Sequence, residues 1–257
     1  MNLEGKRILL TGASGGIGRA LAAALERSGC QALRHSYSKV FDDDQLSVRG
    51  DLMLEKDIEA VVVAARNFNV DIVINNCGVN ELTPFEMSGV QRTMDINVSG
   101  PMKLTQALLP FLREKPEAAI VNIGSTFGEI GFPGYVTYCA SKAAIKGFSE
   151  ALRRELSDSS VHVFHVSPRA TKTDMNSPVS QQLNAELGNA EDEPDYLAAR
   201  IVNAMQRDQV RLQIGFMEKI QVKLNGLFPG IFDLAIGSQL PIIKKHLSHH
   251  SDQEITV

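Results

Sequence analysis

The sequence has few cysteines, no excess of basic residues and no long apolar run, and each absence excludes a class of protein. Its 257 residues include three cysteines, at positions 30, 77 and 139, and none stands in a C-x-x-C pair. We therefore expect neither a metal site nor a disulfide framework. The net charge of −4 gives no basic field for nucleic acid. Isolated, reduced cysteines fit a cytosolic compartment best, so we expect a cytoplasmic protein. The first residues lack the apolar segment of a signal peptide, and the sequence has no run of about 18 apolar residues that would predict a membrane span.

Predicted strands and helices alternate along the chain. Apolar runs predict strands at 7–10, 31–35, 46–49, 71–75, 118–124, 161–166 and 210–215. Helical periodicity predicts helices that include 55–67, 90–113, 136–156, 181–187 and 194–207. This alternation predicts an α/β fold: a Rossmann-type, doubly wound parallel sheet of about seven strands, covered by helices on both faces. No linker or repeat interrupts it, so we expect a single domain over 1–257, with a core at about 6–215.

A glycine-rich segment follows the first predicted strand. It reads T-G-A-S-G-G-I-G over Thr11–Gly18, and a helical pattern follows it. Glycines let a backbone approach a phosphate closely, and a helix N-terminus offers free N–H groups and the positive end of a dipole. The segment therefore predicts a dinucleotide pyrophosphate site, with a tight turn that binds no ligand as the alternative.

The end of the second predicted strand favours NADP(H) over NAD(H). A dinucleotide fold selects its cofactor there, and a carboxylate at this place would repel a 2′-phosphate. The residues are instead Arg34, His35, Ser36, Tyr37, Ser38 and Lys39, and the first acid is Asp42. We assign Arg34 and Ser36 to the cofactor site; NAD(H) remains the alternative, in which the cations are only solvated.

Three residues between Ser125 and Lys142 carry chemistry if they converge. Tyr138 and Lys142 are four residues apart, so a helix places them on one face. The lysine ammonium should lower the pKa of the tyrosine towards neutrality, which suits a general acid–base in carbonyl or alcohol chemistry. Ser125 follows a buried strand, and its hydroxyl could donate to a substrate oxygen. The alternative is an ordinary half-exposed tyrosine beside a solvated lysine.

Asn97 lies in the long helical stretch of 90–113, which Pro101 interrupts. A proline inside a helix removes a backbone hydrogen bond and can kink the helix. Asn97 could bind the backbone groups freed there, which would make it a structural residue and not a catalytic one.

Taken together, these motifs resemble the short-chain dehydrogenase/reductase family over about residues 6–215. The shared features are T-G-x-x-x-G-x-G, N-N-C-G at Asn75–Gly78, and Asn97, Ser125, Tyr138 and Lys142 in this order. The resemblance implies that Tyr138 is the acid–base, that Ser125 binds the carbonyl, that Lys142 lowers the Tyr138 pKa and holds the nicotinamide ribose, and that Asn97 holds a relay water.

The resemblance also implies the remaining cofactor contacts. Gly12, Ser14, Ile17 and Gly18 would line the pyrophosphate, Asp51 would meet the adenine, and Asn76 would lie near the nicotinamide-side ribose. Further cofactor-binding positions are Gly16, Leu52, Cys77, Gly78, Pro168, Arg169, Thr171 and Thr173.

Three features depart from the family pattern: Cys77, Arg169 and the tail after Gly215, which is unlike the short tail of the commonest members. Cys77 replaces the usual alanine, a change between small residues. Arg169 replaces the usual glycine after Pro168 and either touches substrate or cofactor or is a solvated loop arginine.

The stretch 216–247 is strongly apolar but is divided by glycines and prolines into pieces of about ten residues. Such pieces are too short to span a bilayer, so we expect a helical extension that packs mainly against protein, at the interface of a homodimer or homotetramer. Contact with a membrane surface through its lysines is the alternative.

The resulting functional prediction is an NADP(H)-dependent oxidoreductase that interconverts a ketone and a secondary alcohol. The apolar tail and an apolar lid region (Pro178, Val179, Leu183 and Leu187) favour a hydrophobic substrate. The alternatives are a 3-oxoacyl-type reductase of the same family, a non-catalytic dinucleotide sensor or scaffold, and an isomerase or epimerase that keeps its cofactor bound. An intact proton relay argues against the sensor, and the short chain leaves little room for the substrate domain of an epimerase.

Overall fold

A seven-stranded parallel sheet forms the centre of the molecule. The computed structural model describes residues 1–38, 41 and 46–254. The strands are β1 (Arg7–Leu10), β2 (Gln31–Ser36), β3 (Ser47–Arg49), β4 (Ile72–Asn75), β5 (Ala118–Ile123), β6 (Val161–Ser167) and β7 (Arg211–Gln213). Their order across the sheet is β3-β2-β1-β4-β5-β6-β7. The chain reverses direction across the sheet after β3, and this reversal opens a crevice at the carboxyl edge between β1 and β4.

Helices cover both faces of this sheet. They are α1 (Gly16–Arg27), α2 (Glu55–Asn67), α3 (Val90–Met94), α4 (Gly100–Arg113), α5 (Val136–Glu155), α6 (Pro178–Glu186), α7 (Pro194–Gln206), α8 (Phe216–Leu227) and α9 (Pro229–Glu254). Leu9 and its neighbours on one face pack with α2, α4 and α5, whereas Ile8 and Leu10 on the other pack with α1 and α7. Because both faces are buried, the central strands β1, β4 and β5 are apolar at most positions. The α/β prediction is confirmed.

The stretch 90–113 is helical throughout, as periodicity predicts, but it is not a regular α-helix. A π-helical turn over Asp95–Ser99 joins α3 to α4, and Ser99 and Gly100 keep helical backbone angles at the junction. Pro101 therefore follows directly on the π-helical turn.

The tail is also less divided than its glycines and prolines predict. α9 runs for 26 residues with Pro241 inside it. Its later part packs through Ile243 against Leu82, Tyr135 and Leu183. The free energy gained by burying this side of the helix offsets the loss of the backbone hydrogen bond that Pro241 cannot form.

Among the described residues, no single helix has the length and hydropathy needed to cross a bilayer. Together, α8 and the part of α9 up to Leu247 would meet both requirements, but the chain bends by 119° between them.

Candidate active site

A cavity of about 990 Å³ opens at the carboxyl edge of the sheet. Its walls come from the segments that follow β1, β2, β3, β4, β5 and β6, and from α8 and α9. The predicted residues that line it are Gly12, Ser14, Gly16, Ile17, Gly18, Asp51, Leu52, Asn76, Cys77, Gly78, Ser125, Tyr138, Lys142, Pro168, Arg169, Thr171 and Thr173. The topology therefore gathers most of the predicted site in one place, as expected at a switch point of a doubly wound sheet.

The glycine loop forms a close-packed cradle on one side of the cavity. Gly12 has φ +64°, and a Cβ on it would lie 2.9 Å from the Cα of Cys77. A Cβ on Gly18 would lie 2.1 Å from the carbonyl oxygen of Gly12, and one on Gly16 would lie 2.6 Å from Thr173. The first N–H groups of α1 lack intrahelical acceptors, and Gly15 at the N-cap gives them no side-chain partner. Such a cradle fits a dinucleotide pyrophosphate.

Thr11 and Asn76 hold this loop in place. The Thr11 hydroxyl accepts the N–H groups of Asn76 and Cys77 at 2.9 and 3.0 Å. The Asn76 amide donates to the carbonyls of Thr11 and Gly12 at 2.9 and 3.1 Å. Asn76 lines the cavity, but its amide N–H groups are used by the loop and not directed at a ribose. Thr11 is fully buried, and although it stands in the glycine motif, sequence reasoning assigned it no role.

Ser125 and Tyr138 converge at the inner end of the cavity. Ser125 follows β5, and its hydroxyl accepts the N–H of Phe127 at 3.1 Å. This bond orients the serine hydroxyl, which is also hydrogen-bonded to Tyr138, so a substrate oxygen would take the place of that second bond. Tyr138 lies in the first turn of α5, with the Phe127 ring edge-on to it at a centroid distance of 6.4 Å. A substrate oxygen between the two hydroxyls could accept two hydrogen bonds.

The expected lowering of the Tyr138 pKa is wrong for this arrangement. Burial raises the pKa of Tyr138 to about 12, and a hydrogen bond with Ser125 opposes this rise only in part. The Lys142 ammonium is 5.7 Å from the centre of the tyrosine ring and donates to the carbonyl of Ile123 at 3.0 Å. Burial lowers the pKa of Lys142 to about 8. Loss of solvation outweighs the attraction between phenolate and ammonium, because both groups are inside the protein.

Asn97 lies behind the cavity wall and does not line it. Its side chain accepts the N–H of Val79 at 2.8 Å and donates to the Val79 carbonyl at 2.9 Å and to the Ser141 hydroxyl at 3.0 Å. It does not bind backbone freed by Pro101, as sequence reasoning allowed. A Cβ on Gly78 would lie 3.2 Å from the Asn97 oxygen and 3.5 Å from the Lys142 nitrogen. Asn97 and Lys142 therefore both approach Gly78 on the side where a Cβ would stand.

Arg34 and Ser36, the predicted selectors of the 2′-phosphate, do not line the cavity. Arg34 pairs with Glu26 at 2.6 Å, and Ser36 is fully buried. His35 and Tyr37 line the cavity instead. The sequence pattern predicted the segment that borders the cavity but not which of its side chains face it, because the pleat and the packing of the strand decide their directions. Lys39 and Asp42 lie outside the described residues.

Arg169 lines the cavity but is neither a solvated arginine nor one free to bind a ligand. Its guanidinium binds both carboxylate oxygens of Asp192 at 2.7 and 3.0 Å and reaches Glu218 on α8 at 3.4 Å. The Asp192 side chain is 6% exposed. The arginine thus connects the loop after β6 to the segment before α7 and to α8.

Aromatic and aliphatic side chains form the far wall of the cavity. They are Phe127, Ile130, Phe132, Tyr135, Phe232 and Ile236. Of the predicted lid residues, Val179, Leu183 and Leu187 pack with α9 in a small core of their own. The apolar lining therefore comes from the segment after β5 and from α9.

Comparisons with known proteins agree with this geometry. The family model for short chain dehydrogenases matches residues 6–184. The 3-oxoacyl-(acyl-carrier-protein) reductase FabG of Escherichia coli is 34% identical over 200 residues, covering 73% of this chain and 82% of the relative. A short chain dehydrogenase from Burkholderia cenocepacia in complex with NADP superposes with a TM-score of 0.79 at 21% identity, over 92% of this chain and 99% of that one. The 3-ketoacyl-(acyl-carrier-protein) reductase of Brucella melitensis, complexed with NADH, superposes with a TM-score of 0.73 at 25% identity, over 82% of this chain and 97% of that one.

Proposed function

Because this chain belongs to the short-chain dehydrogenase/reductase family, we propose that it interconverts an apolar ketone and a secondary alcohol at the cavity described above. The family makes it an NAD(P)-dependent oxidoreductase. The observation that carries the finer proposal is the convergence of Ser125 and Tyr138 in one cavity with the glycine cradle at one side and an apolar wall at the other. Hydride would move to or from the nicotinamide, which supplies the redox chemistry when bound.

Ser125 and Tyr138 would act on the substrate oxygen. The serine hydroxyl, oriented by the N–H of Phe127, donates a hydrogen bond that polarises the carbonyl. The tyrosine hydroxyl donates its proton as negative charge develops on that oxygen. With a pKa of about 12 the tyrosine is protonated at neutral pH, which suits the direction of ketone reduction.

Lys142 and Asn97 would assist this proton transfer from behind the two hydroxyls that contact the substrate. The ammonium of Lys142 places a positive charge near the tyrosine and near the expected nicotinamide ribose. Asn97 fixes the turn after β4 to α5 through Val79 and Ser141, which sets the position of that ammonium behind Gly78. We assign Asn97 as a positioning residue.

NADP(H) remains the favoured cofactor and NAD(H) the alternative. The stretch 31–38 contains no acid, so nothing in it repels a 2′-phosphate. Of this stretch, His35 and Tyr37 line the cavity, whereas Arg34 and Ser36 do not. One of the similar structures holds NADP and another NADH.

A 3-oxoacyl thioester is a second candidate substrate. It is favoured by the 34% identity to a reductase named for that substrate. We further propose that the enzyme is cytoplasmic and forms a homodimer or homotetramer, that one domain covers the chain, and that 216–247 forms a helical extension of it.

Tyr138→Phe tests the proposed chemistry. It removes one hydroxyl and no bulk, so we expect turnover of a ketone with NADPH to fall by about 10²–10⁴-fold while NADPH binding changes little. Tyr135→Phe is the matched control, because it removes a neighbouring cavity hydroxyl that is bound to Ser180 at 2.9 Å. Turnover within about tenfold of wild type in Tyr138→Phe would exclude this tyrosine as the acid–base. Absence of turnover in the wild type with every ketone and 3-oxoacyl thioester, despite NADPH binding, would favour a sensor.

A further inference from the structure

α8 presents an apolar face to solvent. Phe216, Met217, Ile220, Leu224 and Leu227 lie along its outer side and are all exposed, Phe216 by 76% and Leu227 by 70%. Three more exposed apolar residues follow at the bend and at the start of α9: Phe228, Ile231 and Leu234, the last 80% exposed. We call these eight residues the α8 face. Exposed apolar side chains in this number mark a contact site.

Polar contacts hold α8 in this orientation. On its inner side, Glu218 binds Arg169 at 3.4 Å, and the amide of Asn225 donates to the carbonyl of Glu129 at 3.2 Å. The apolar residues therefore cannot turn inwards without breaking these bonds. The exposure of the α8 face follows from the way the helix is fixed to the domain.

Two lysines border the α8 face. Lys219 and Lys223 are one turn apart and exposed, and neither forms an ion pair or hydrogen bond within the described part of the chain. The acids nearby are Glu218, which faces inwards, and Asp233, which is exposed. The other two lysines of 216–247, Lys244 and Lys245, lie far along α9, and Lys245 pairs with Glu186 at 3.1 Å. Lys219 and Lys223 are therefore the two cations of this stretch that border the apolar surface.

The shape of the two helices suits a flat apolar layer. α8 has 12 residues, a length of about 18 Å, which is too short to cross a hydrocarbon core of about 30 Å. The 119° bend before α9 places the exposed Leu227 and Phe228 at the corner between the two helices. A helix with one apolar side and flanking lysines lies in the plane of a membrane surface.

The same two helices also form a wall of the active-site cavity. Phe232, Ala235 and Ile236 of α9 line the cavity, on the inner side of the helix whose start carries part of the α8 face. We propose that the α8 face docks on an anionic lipid layer and that the cavity takes an apolar ketone from that layer. The second part of this proposal rests on the proposed function.

A second copy of the chain fits the α8 face less well. In a two-fold symmetric contact the same patch meets itself. Lys219 and Lys223 of one copy would then approach the same lysines of the other, with Asp233 as the exposed acid available to both. Like charges brought together in this way oppose association. Anionic headgroups complement both lysines, while the acyl region accepts the apolar side chains.

Vesicle binding by the full chain tests the docking. We expect the wild type to co-sediment with vesicles of phosphatidylglycerol and phosphatidylcholine, and the Ile220→Glu/Leu227→Glu variant to bind at least about 100-fold more weakly, because each lost side chain contributes about tenfold. Lys219→Gln/Lys223→Gln should weaken binding to these vesicles and not to pure phosphatidylcholine. Val63→Glu is the control, since this 57% exposed residue lies on α2, far along the chain from the tail.

Three outcomes would overturn the docking proposal. The first is a wild type that does not bind the anionic vesicles, and the second is an Ile220→Glu/Leu227→Glu variant that binds them as the wild type does. The third is a wild-type oligomer in lipid-free buffer that this variant splits, which would assign the α8 face to a second copy.

Measurements of ketone reduction distinguish an error in the docking proposal from an error in the proposed function. A short, water-soluble ketone should be reduced equally by the wild type and by Ile220→Glu/Leu227→Glu, because neither residue lines the cavity. A long-chain ketone held in anionic vesicles should be reduced at least about tenfold faster by the wild type. Equal rates on the vesicle-held ketone would overturn the lipid-derived substrate while leaving the enzyme assignment intact. No reaction with either ketone, together with normal vesicle binding, would contradict the proposed function and not the docking.

Discussion

Replacing Lys142 by methionine should raise stability and abolish most of the activity. The lysine side chain is 6% exposed, and burial lowers its pKa from 10.5 to about 8. Below pH 8 the ammonium is charged in both the folded and the unfolded protein, so the folded state carries the full cost of burying it. A pKa shift of this size corresponds to a loss of about 3 kcal/mol in the free energy of unfolding.

Two further terms set the expected net effect of Lys142→Met. The variant loses the hydrogen bond from the charged ammonium to the carbonyl of Ile123, which contributes about 2 kcal/mol. A net gain of about 1 kcal/mol in the free energy of unfolding remains at pH 7. As pH rises from 8 to 10.5 the wild-type lysine loses its proton in the folded state first, so the wild type becomes relatively more stable. The difference in the free energy of unfolding should therefore shift by about 2 kcal/mol in favour of the wild type between pH 7 and pH 9.5.

Urea unfolding of both proteins, followed by circular dichroism at pH 7 and pH 9.5, measures this difference. Other titrating groups cancel in the comparison. Lys146→Met, one turn further along α5, is the control: it removes the partner of the nearly buried Glu129 and should lower stability. Turnover of Lys142→Met should fall by about 100-fold or more. A Lys142→Met variant less stable than wild type by more than about 1 kcal/mol at pH 7, or a difference independent of pH, would refute the reasoning.

The remaining predictions concern pH, the glycine cradle and the arginine cluster. Ketone reduction should slow as pH rises through about 8, because Lys142 loses its charge while Tyr138, with a pKa of about 12, keeps its proton; a rate profile that is flat from pH 6 to 10 would contradict this. Gly18→Ala should weaken NADPH binding by at least about tenfold in a fluorescence titration, since its Cβ would lie 2.1 Å from a loop carbonyl oxygen. Arg169→Met leaves the buried carboxylate of Asp192 with no arginine partner and should lower the free energy of unfolding by about 3–5 kcal/mol, whereas Arg169→Met/Asp192→Leu should recover most of this loss in urea unfolding.

The sequence by itself determined the features that depend on residues close together along the chain. Alternating apolar runs and helical periodicity predicted all seven strands to within one or two residues, because burial of a strand or a helix face shows directly in residue spacing. The glycine loop was found because its turn between β1 and α1 admits no side chain. The spacing from Ser125 to Lys142 placed two hydroxyls and an amine at one end of β5 and α5, since both elements begin or end there.

Only the tertiary structure decided how these groups interact. Asn97 binds Val79 and Ser141, 18 and 44 residues away, and no local pattern shows such partners. Burial, and not the lysine one turn away, sets the direction of the Tyr138 pKa, because desolvation depends on everything packed around the ring. The loop position of Arg169 predicts a solvated or ligand-binding residue, whereas its partners, Asp192 and Glu218, come from segments 23 and 49 residues further along the chain. The spacing of residues along a chain shows which functional groups a site contains. The exclusion of solvent and the contacts between distant segments determine the protonation state of each group and its hydrogen-bond or ion-pair partner.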